Sequence, residues 1–138
     1  MAKSVTYFAL PGLPLIEPGD DLVKLIAAAL NAERFPLLAG DIVVVAQKIV
    51  SKAENRYVNL GDVVPGDKAK ALAAEIGKDA RHVEAILSES AEVVRYRHNI
   101  LIVEHRLGYV MANAGIDQSN ITHADGGERV LLLPSDPD

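Results

Sequence analysis

Apolar positions along this chain follow two periods, and the periods assign its elements. Residues 5–9 are β-branched and aromatic and predict a short strand. Pro11, Gly12 and Pro14 then interrupt regular structure, because two prolines fix φ twice and remove two amide donors. Asp20 or Asp21 reads as a helix N-cap. Leu22, Leu25, Ile26, Ala29 and Leu30 follow at helical spacing and define one buried face. Residues 41–46 form a continuous β-branched run after Gly40, the pattern of a strand buried on both faces. Residues 56–60 predict another strand, and residues 61–66 a turn. Residues 68–76 predict a helix capped by Gly77. Asp79 caps a second helix that turns Val83, Ile86 and Leu87 to one side and ends near Ser90. Strands are expected at residues 93–96, 100–103 and 107–111, with Gly108 at a turn or bulge. Residues 113–120 are polar and read as a loop, and residues 130–133 as a last buried run. There is no internal repeat. Strands in succession with flanking helices imply an α+β fold with a mixed or mostly antiparallel sheet.

Composition narrows the function classes. Half the residues are apolar (49%), enough for a real core in a single domain over residues 1–138. The net charge of −5 disfavours a phosphate-backbone partner, so no nucleic acid is expected. The absence of cysteine excludes disulfides, thiolate metal sites and cysteine nucleophiles. No apolar run reaches membrane-spanning length and no signal segment opens the chain, so the expectation is a cytoplasmic protein without a membrane partner.

Standard phosphate-loop, dinucleotide and zinc-protease motifs are missing. His82, His98, His105 and His123 lack metal-ligand spacing and are expected in structural or surface roles. Glu84, Glu89, Glu92 and Arg95 read as a solvated helix face and its exit. Three segments retain chemical potential. Gly12-Leu13-Pro14-Leu15-Ile16 is either a core-plugging loop, which the residue types favour, or a rigid backbone edge for a planar ligand. Gln47, Lys48, Ser51 and Lys52 follow the buried run directly. They are either lysines leaving the core or a polyphosphate site at a strand's carboxyl end. Residues 113–120 concentrate a carboxylate, amides and a hydroxyl. Asp117 and Asn120 suit either an Asx-turn, the somewhat better fit, or an oxygen-ligand site for Mg²⁺ or Mn²⁺.

Four blocks carry a resemblance. Gly-Leu-Pro-Leu-Ile at 12–16 followed by Gly-Asp-Asp-Leu at 19–22 is the first. The second is Asp-Ile-Val-Val-Val-Ala-Gln-Lys-Ile-Val-Ser-Lys-Ala-Glu at 41–54. Asn-Ala-Gly-Ile-Asp-Gln-Ser-Asn at 113–120 and Leu-Leu-Leu-Pro-Ser-Asp-Pro-Asp at 131–138 complete the set. Together they resemble the coenzyme F-420:L-glutamate ligase family, in the family's order and across almost the whole chain.

The resemblance implies the family's own α+β fold, a homodimer, and GTP-dependent addition of L-glutamate to the deazaflavin coenzyme precursor through an acyl phosphate. It implies a requirement for Mn²⁺ or Mg²⁺. Leu13, Pro14, Leu15 and Ile16 match a stretch that contacts GTP. Gln47, Lys48, Lys52 and Asn120 match nucleotide contacts, and Asp117 matches a metal ligand. Some members carry Ser-Thr where this chain has Gln47-Lys48. Family enzymes run to roughly twice this length, so this chain is expected to be an N-terminal portion with little activity alone. The alternative is a nucleotide-binding or dimerisation module that acts with a separate partner chain.

Overall fold

The computed structural model describes residues 4–118 and 128–136. Besides two short 3-10 helices, Leu60–Asp62 and Asn113–Gly115, the described helices and strands are, in chain order, α1 (Leu22–Ala32), α2 (Gln47–Ala53), β1 (Tyr57–Asn59), α3 (Asp67–Ile76), α4 (Ala80–Ser88), β2 (Ser90–Arg97), β3 (Ile100–His105), β4 (Val110–Ala112) and β5 (Arg129–Leu131). The fold is α+β. Every strand pair among the described residues is antiparallel: β2–β3–β4 form one sheet and β1–β5 a two-stranded ribbon.

The core follows from the helical and strand periods. In α3, Ala69, Leu72, Ala73 and Ile76 recur at three and four residues and are buried. In α4, Val83 and Ile86 do the same. They meet β3, where burial alternates so that Leu101, Val103 and His105 face inward. Each buried leucine or isoleucine contributes about 1.5–3 kcal/mol of transfer free energy.

Gly77 ends α3 in the left-handed conformation at φ 72° and donates its N–H to the Ala73 carbonyl. The left-handed φ is what favours glycine here; a Cβ would also meet the His98 ring, but that exposed side chain can turn aside. Asp79 begins α4 by accepting the Arg81 N–H. The first part of a second cluster, Leu60, Ala85, Val130 and Leu132, packs the β1–β5 ribbon against α4.

Several expectations are corrected. Residues 5–9 form no strand and are largely exposed. Residues 41–46 form no strand either, and Ile42 to Val45 are exposed rather than buried on both faces. The physical reason is that a strand needs a ladder partner, and no described segment pairs with either run. Residues 106–108 are a turn and bend before β4, closed by Gly108 N–H donating to the His105 carbonyl, so no strand begins at Leu107. The helix expected to end near Ser90 does so, closing at Ser88 with β2 beginning two residues later.

Candidate functional site around helix α2

Helix α2 gathers the segments singled out for chemistry. Its residues were expected just beyond a strand; they are instead the helix itself, entered from extended Ala46. Ser51 is fully buried, and its Oγ accepts from Gln47 Nε2 at 2.8 Å, one helical turn away. Lys52 is half-buried in the last turn. Lys48 extends to the other segment of interest: its Nζ lies 2.6 Å from Asp117 Oδ2, and both side chains keep about a third of their exposure.

The backbone before Asp117 explains its placement. Asn113, Ala114 and Gly115 are all left-handed, with φ of 53°, 52° and 69°. Such a run is costly for non-glycine residues and persists only when packing enforces it. Ala114 is completely buried against the α3–α4 core. At Gly115 a Cβ would come within 2.9 Å of the Leu133 side chain. Ile116 packs against both core clusters. Asp117 is then held on both sides of its peptide, donating to the Leu131 carbonyl at 2.9 Å and accepting the Leu131 N–H at 2.8 Å. The carboxylate therefore projects from a fixed backbone.

The C-terminal block is tied to the other end of α2. Glu54 accepts from Ser135 N at 2.6 Å and Ser135 Oγ at 2.8 Å. Burial acts to raise the Glu54 pKa, but these hydrogen bonds outweigh it and hold the carboxyl below its usual range. Arg56 donates Nε to the Leu133 carbonyl at 2.9 Å and reaches Glu89 Oε2 at 2.6 Å. Arg106 Nε meets the same Glu89 oxygen at 3.1 Å. His105 Nδ1 accepts the Leu107 N–H, so the ring proton sits on Nε2, 3.4 Å from Glu89 and too far for a good hydrogen bond.

Glu89 is thus a buried hub, not part of a solvated face. No local signal marks this, since its partners arrive from distant segments. Glu54 and Ser135 were within the resembling blocks but had no assigned role.

The apolar loop is placed less centrally. Ile16 is buried, Leu13 is partly exposed, and Pro14 and Leu15 are exposed. The loop joins the site through Gly19 N–H, which donates to the Ala53 carbonyl at the C-terminal end of α2. Lys48 and Asp117 lie at the opposite end. Asn120 falls outside the described residues.

A cleft of about 410 Å³ opens beside α2, lined by Val45, Gln47, Val50, Tyr109, Met111 and Leu133 among others. Among the described residues no group of three or more His, Asp or Glu side chains converges as a metal site. Asp117 therefore offers one carboxylate and not a complete coordination shell.

Every resembling block thus touches α2 or its flanks. Comparison with known proteins agrees. A family model for F420-0:Gamma-glutamyl ligase matches residues 12–138. The chain belongs to this family. The coenzyme F420:L-glutamate ligase of Methanothermobacter thermautotrophicus is 45% identical over 134 residues, covering 97% of this chain and 52% of that protein. The protein of the same name from Archaeoglobus fulgidus is 42% identical over 134 residues, covering 97% of this chain and 50% of that protein. That from Methanopyrus kandleri is 44% identical over 123 residues, covering 89% and 45%. The chain spans about half the length of these relatives and matches their N-terminal half.

Proposed function

We propose that this chain is the nucleotide-holding portion of a GTP-dependent ligase that adds L-glutamate to a deazaflavin coenzyme precursor. The observation that carries the reading is the convergence of three separate blocks on α2, itself part of the fourth, with Lys48 and Asp117 paired at its N-terminal end. A cation next to a carboxylate on a fixed backbone suits a phosphoryl group. The ammonium can follow the phosphate oxygens, while the carboxylate is released toward a divalent cation. The apolar wall of the adjoining cleft suits a ring system carried by the same ligand.

In the proposed reaction the γ-phosphoryl group of GTP moves to the acceptor carboxylate and GDP leaves. The glutamate amine then attacks the acyl carbon, forming the amide and releasing inorganic phosphate and a proton. Leu13, Pro14, Leu15, Ile16, Gln47, Lys48, Lys52 and Asn120 are the proposed nucleotide contacts. Mn²⁺ or Mg²⁺ would neutralise phosphate charge when bound, with Asp117 as one ligand. The described residues do not make a whole metal site. A homodimer is proposed on the same family grounds.

Calorimetric titration of GTP into residues 1–138, with and without Mn²⁺, tests the reading. Metal-dependent binding that weakens about tenfold or more in Asp117→Asn is expected, in line with loss of one charged ligand. No binding by the folded chain would remove the nucleotide role from this half. Full glutamylation turnover by residues 1–138 alone would contradict the assignment as a portion of the enzyme.

A further inference from the structure

The run at residues 42–45 has the composition of an interior strand and the exposure of a surface loop. Relative exposure is 86% at Ile42, 51% at Val43, 85% at Val44 and 38% at Val45. The alternation has period two, as in a strand. The side carrying Val43 and Val45 leans toward the chain, and Val45 lines the cleft beside α2. The side carrying Ile42 and Val44 is open among the described residues. No described segment forms a ladder with residues 41–46. Four adjacent β-branched residues left this way present unpaired backbone groups and apolar surface together.

We infer that residues 42–45 are the docking strand for a polypeptide equivalent to the second half of the family's fold. Three observations select this occupant. The relatives that match this chain contain about as much sequence again beyond the matched half. The run continues directly into α2, so whatever covers it also borders the Lys48–Asp117 pair. It must supply both a hydrogen-bonding edge and an apolar layer over Ile42 and Val44. A small ligand would leave the row of N–H and C=O groups unpaired. The inference rests on family membership and not on the proposed reaction, so either can fail without the other.

The absence of cysteine makes a direct test available. Val44→Cys introduces a single thiol on an exposed side chain, where it does not disturb the core. In the chain alone, maleimide should react with it at nearly the rate of an unstructured peptide. Co-expression with the second half of the Methanothermobacter relative should yield an equimolar complex in which labelling slows about 100-fold, as for a site reached only through local opening. Val44→Lys should lower co-recovery about tenfold, because a charge is forced into an apolar interface, while leaving the melting temperature of the chain alone unchanged.

Three results would overturn the inference. One is a thiol already protected in the chain alone together with a dimeric mass, which makes a second copy the occupant. Another is a complex in which the thiol stays reactive, which places the interface elsewhere. The last is recovery of the chain without the second half and with its thiol open.

Discussion

The region from β1 to β5 and the segment before α2 differ in what their apolar residues touch. In α3, α4 and β3 the apolar side chains meet one another and exclude water; Ile76, Val83, Ile86, Leu101 and Val103 have no exposure. Before α2, side chains of the same types lie open: Val5, Phe8, Leu38, Ile42 and Val44 are exposed, and among the described residues of this segment only Ile16 and Ala29 are buried. Even α1, capped by Asp21 and amphipathic by spacing, buries a single alanine. The segment before α2 is no less apolar in sequence than the packed region. The difference is whether a complementary surface is present, because burial is a property of pairs of elements. A local pattern proposes an element, and a neighbour makes it stable.

Truncations in the two regions should therefore have very different costs. Leu101→Ala removes a fully buried side chain from the centre of β3 and should cost about 2–5 kcal/mol. Val44→Ala removes a comparable apolar group from an exposed site and should change stability by less than about 0.5 kcal/mol. Urea denaturation of both variants measures the contrast. A large cost at Val44 in the isolated chain would show that the segment is covered after all and would erase the comparison.

The next effect in size concerns the polar hub that closes the packed region. Glu89→Ala leaves the Arg56 guanidinium largely buried without its carboxylate and frees Arg106 and His105 as well. A loss of about 3 kcal/mol is expected, since an uncompensated charge remains in the interior. Arg106 is more exposed than Arg56, so water recovers part of its charge. Glu89→Gln, which keeps an acceptor oxygen, should fall between the parent and the alanine variant. Equal stability of all three would show the hub to be as solvent-screened as a surface pair.

Legibility in the sequence followed the same division. The α3–Gly77–Asp79–α4 unit was readable because its period, its stop and its cap are all local. The antiparallel character of the sheet was readable from strands in close succession. The run at 41–46 was read correctly as apolar and β-type but wrongly as a formed strand, because no local signal tells whether the partner strand is present. Lys48 and Asp117 were each singled out by residue type, yet their contact depends on the left-handed turn at 113–115, which only the packing of Ala114 and Leu133 reveals. Glu89 was misread for a related reason. A carboxylate at a helix exit looks solvated until Arg56, 33 residues earlier in the chain, is seen to reach it.

Acid should act on the packed region alone and so sharpen the contrast by the smallest of these effects. His82 and His105 both lie there, and residues 1–46 contain no histidine. Burial pushes the His82 imidazole below its ordinary value of 6.5, assisted by Lys78 and opposed by Asp79. Burial also lowers His105, opposed by Glu89 and assisted by Arg106 and Arg56. Each group binds fewer protons folded than unfolded in the interval below 6.5. Stability is therefore complete above that pH and declines as pH falls through it. Asp79, held down to about 2 chiefly by its hydrogen bond to Arg81, loses its contribution only well below this window. Urea midpoints above and below pH 6.5 should fall on acidification in the parent protein. The fall should be smaller in His82→Phe, whose ring replaces a nitrogen that makes no hydrogen bond among the described residues. Over the same interval the Val44→Cys thiol should keep its accessibility in the isolated chain, because the segment that carries it has no buried imidazole to protonate. An acid loss of equal size in His82→Phe would assign the titration to His105 and its Glu89 hub.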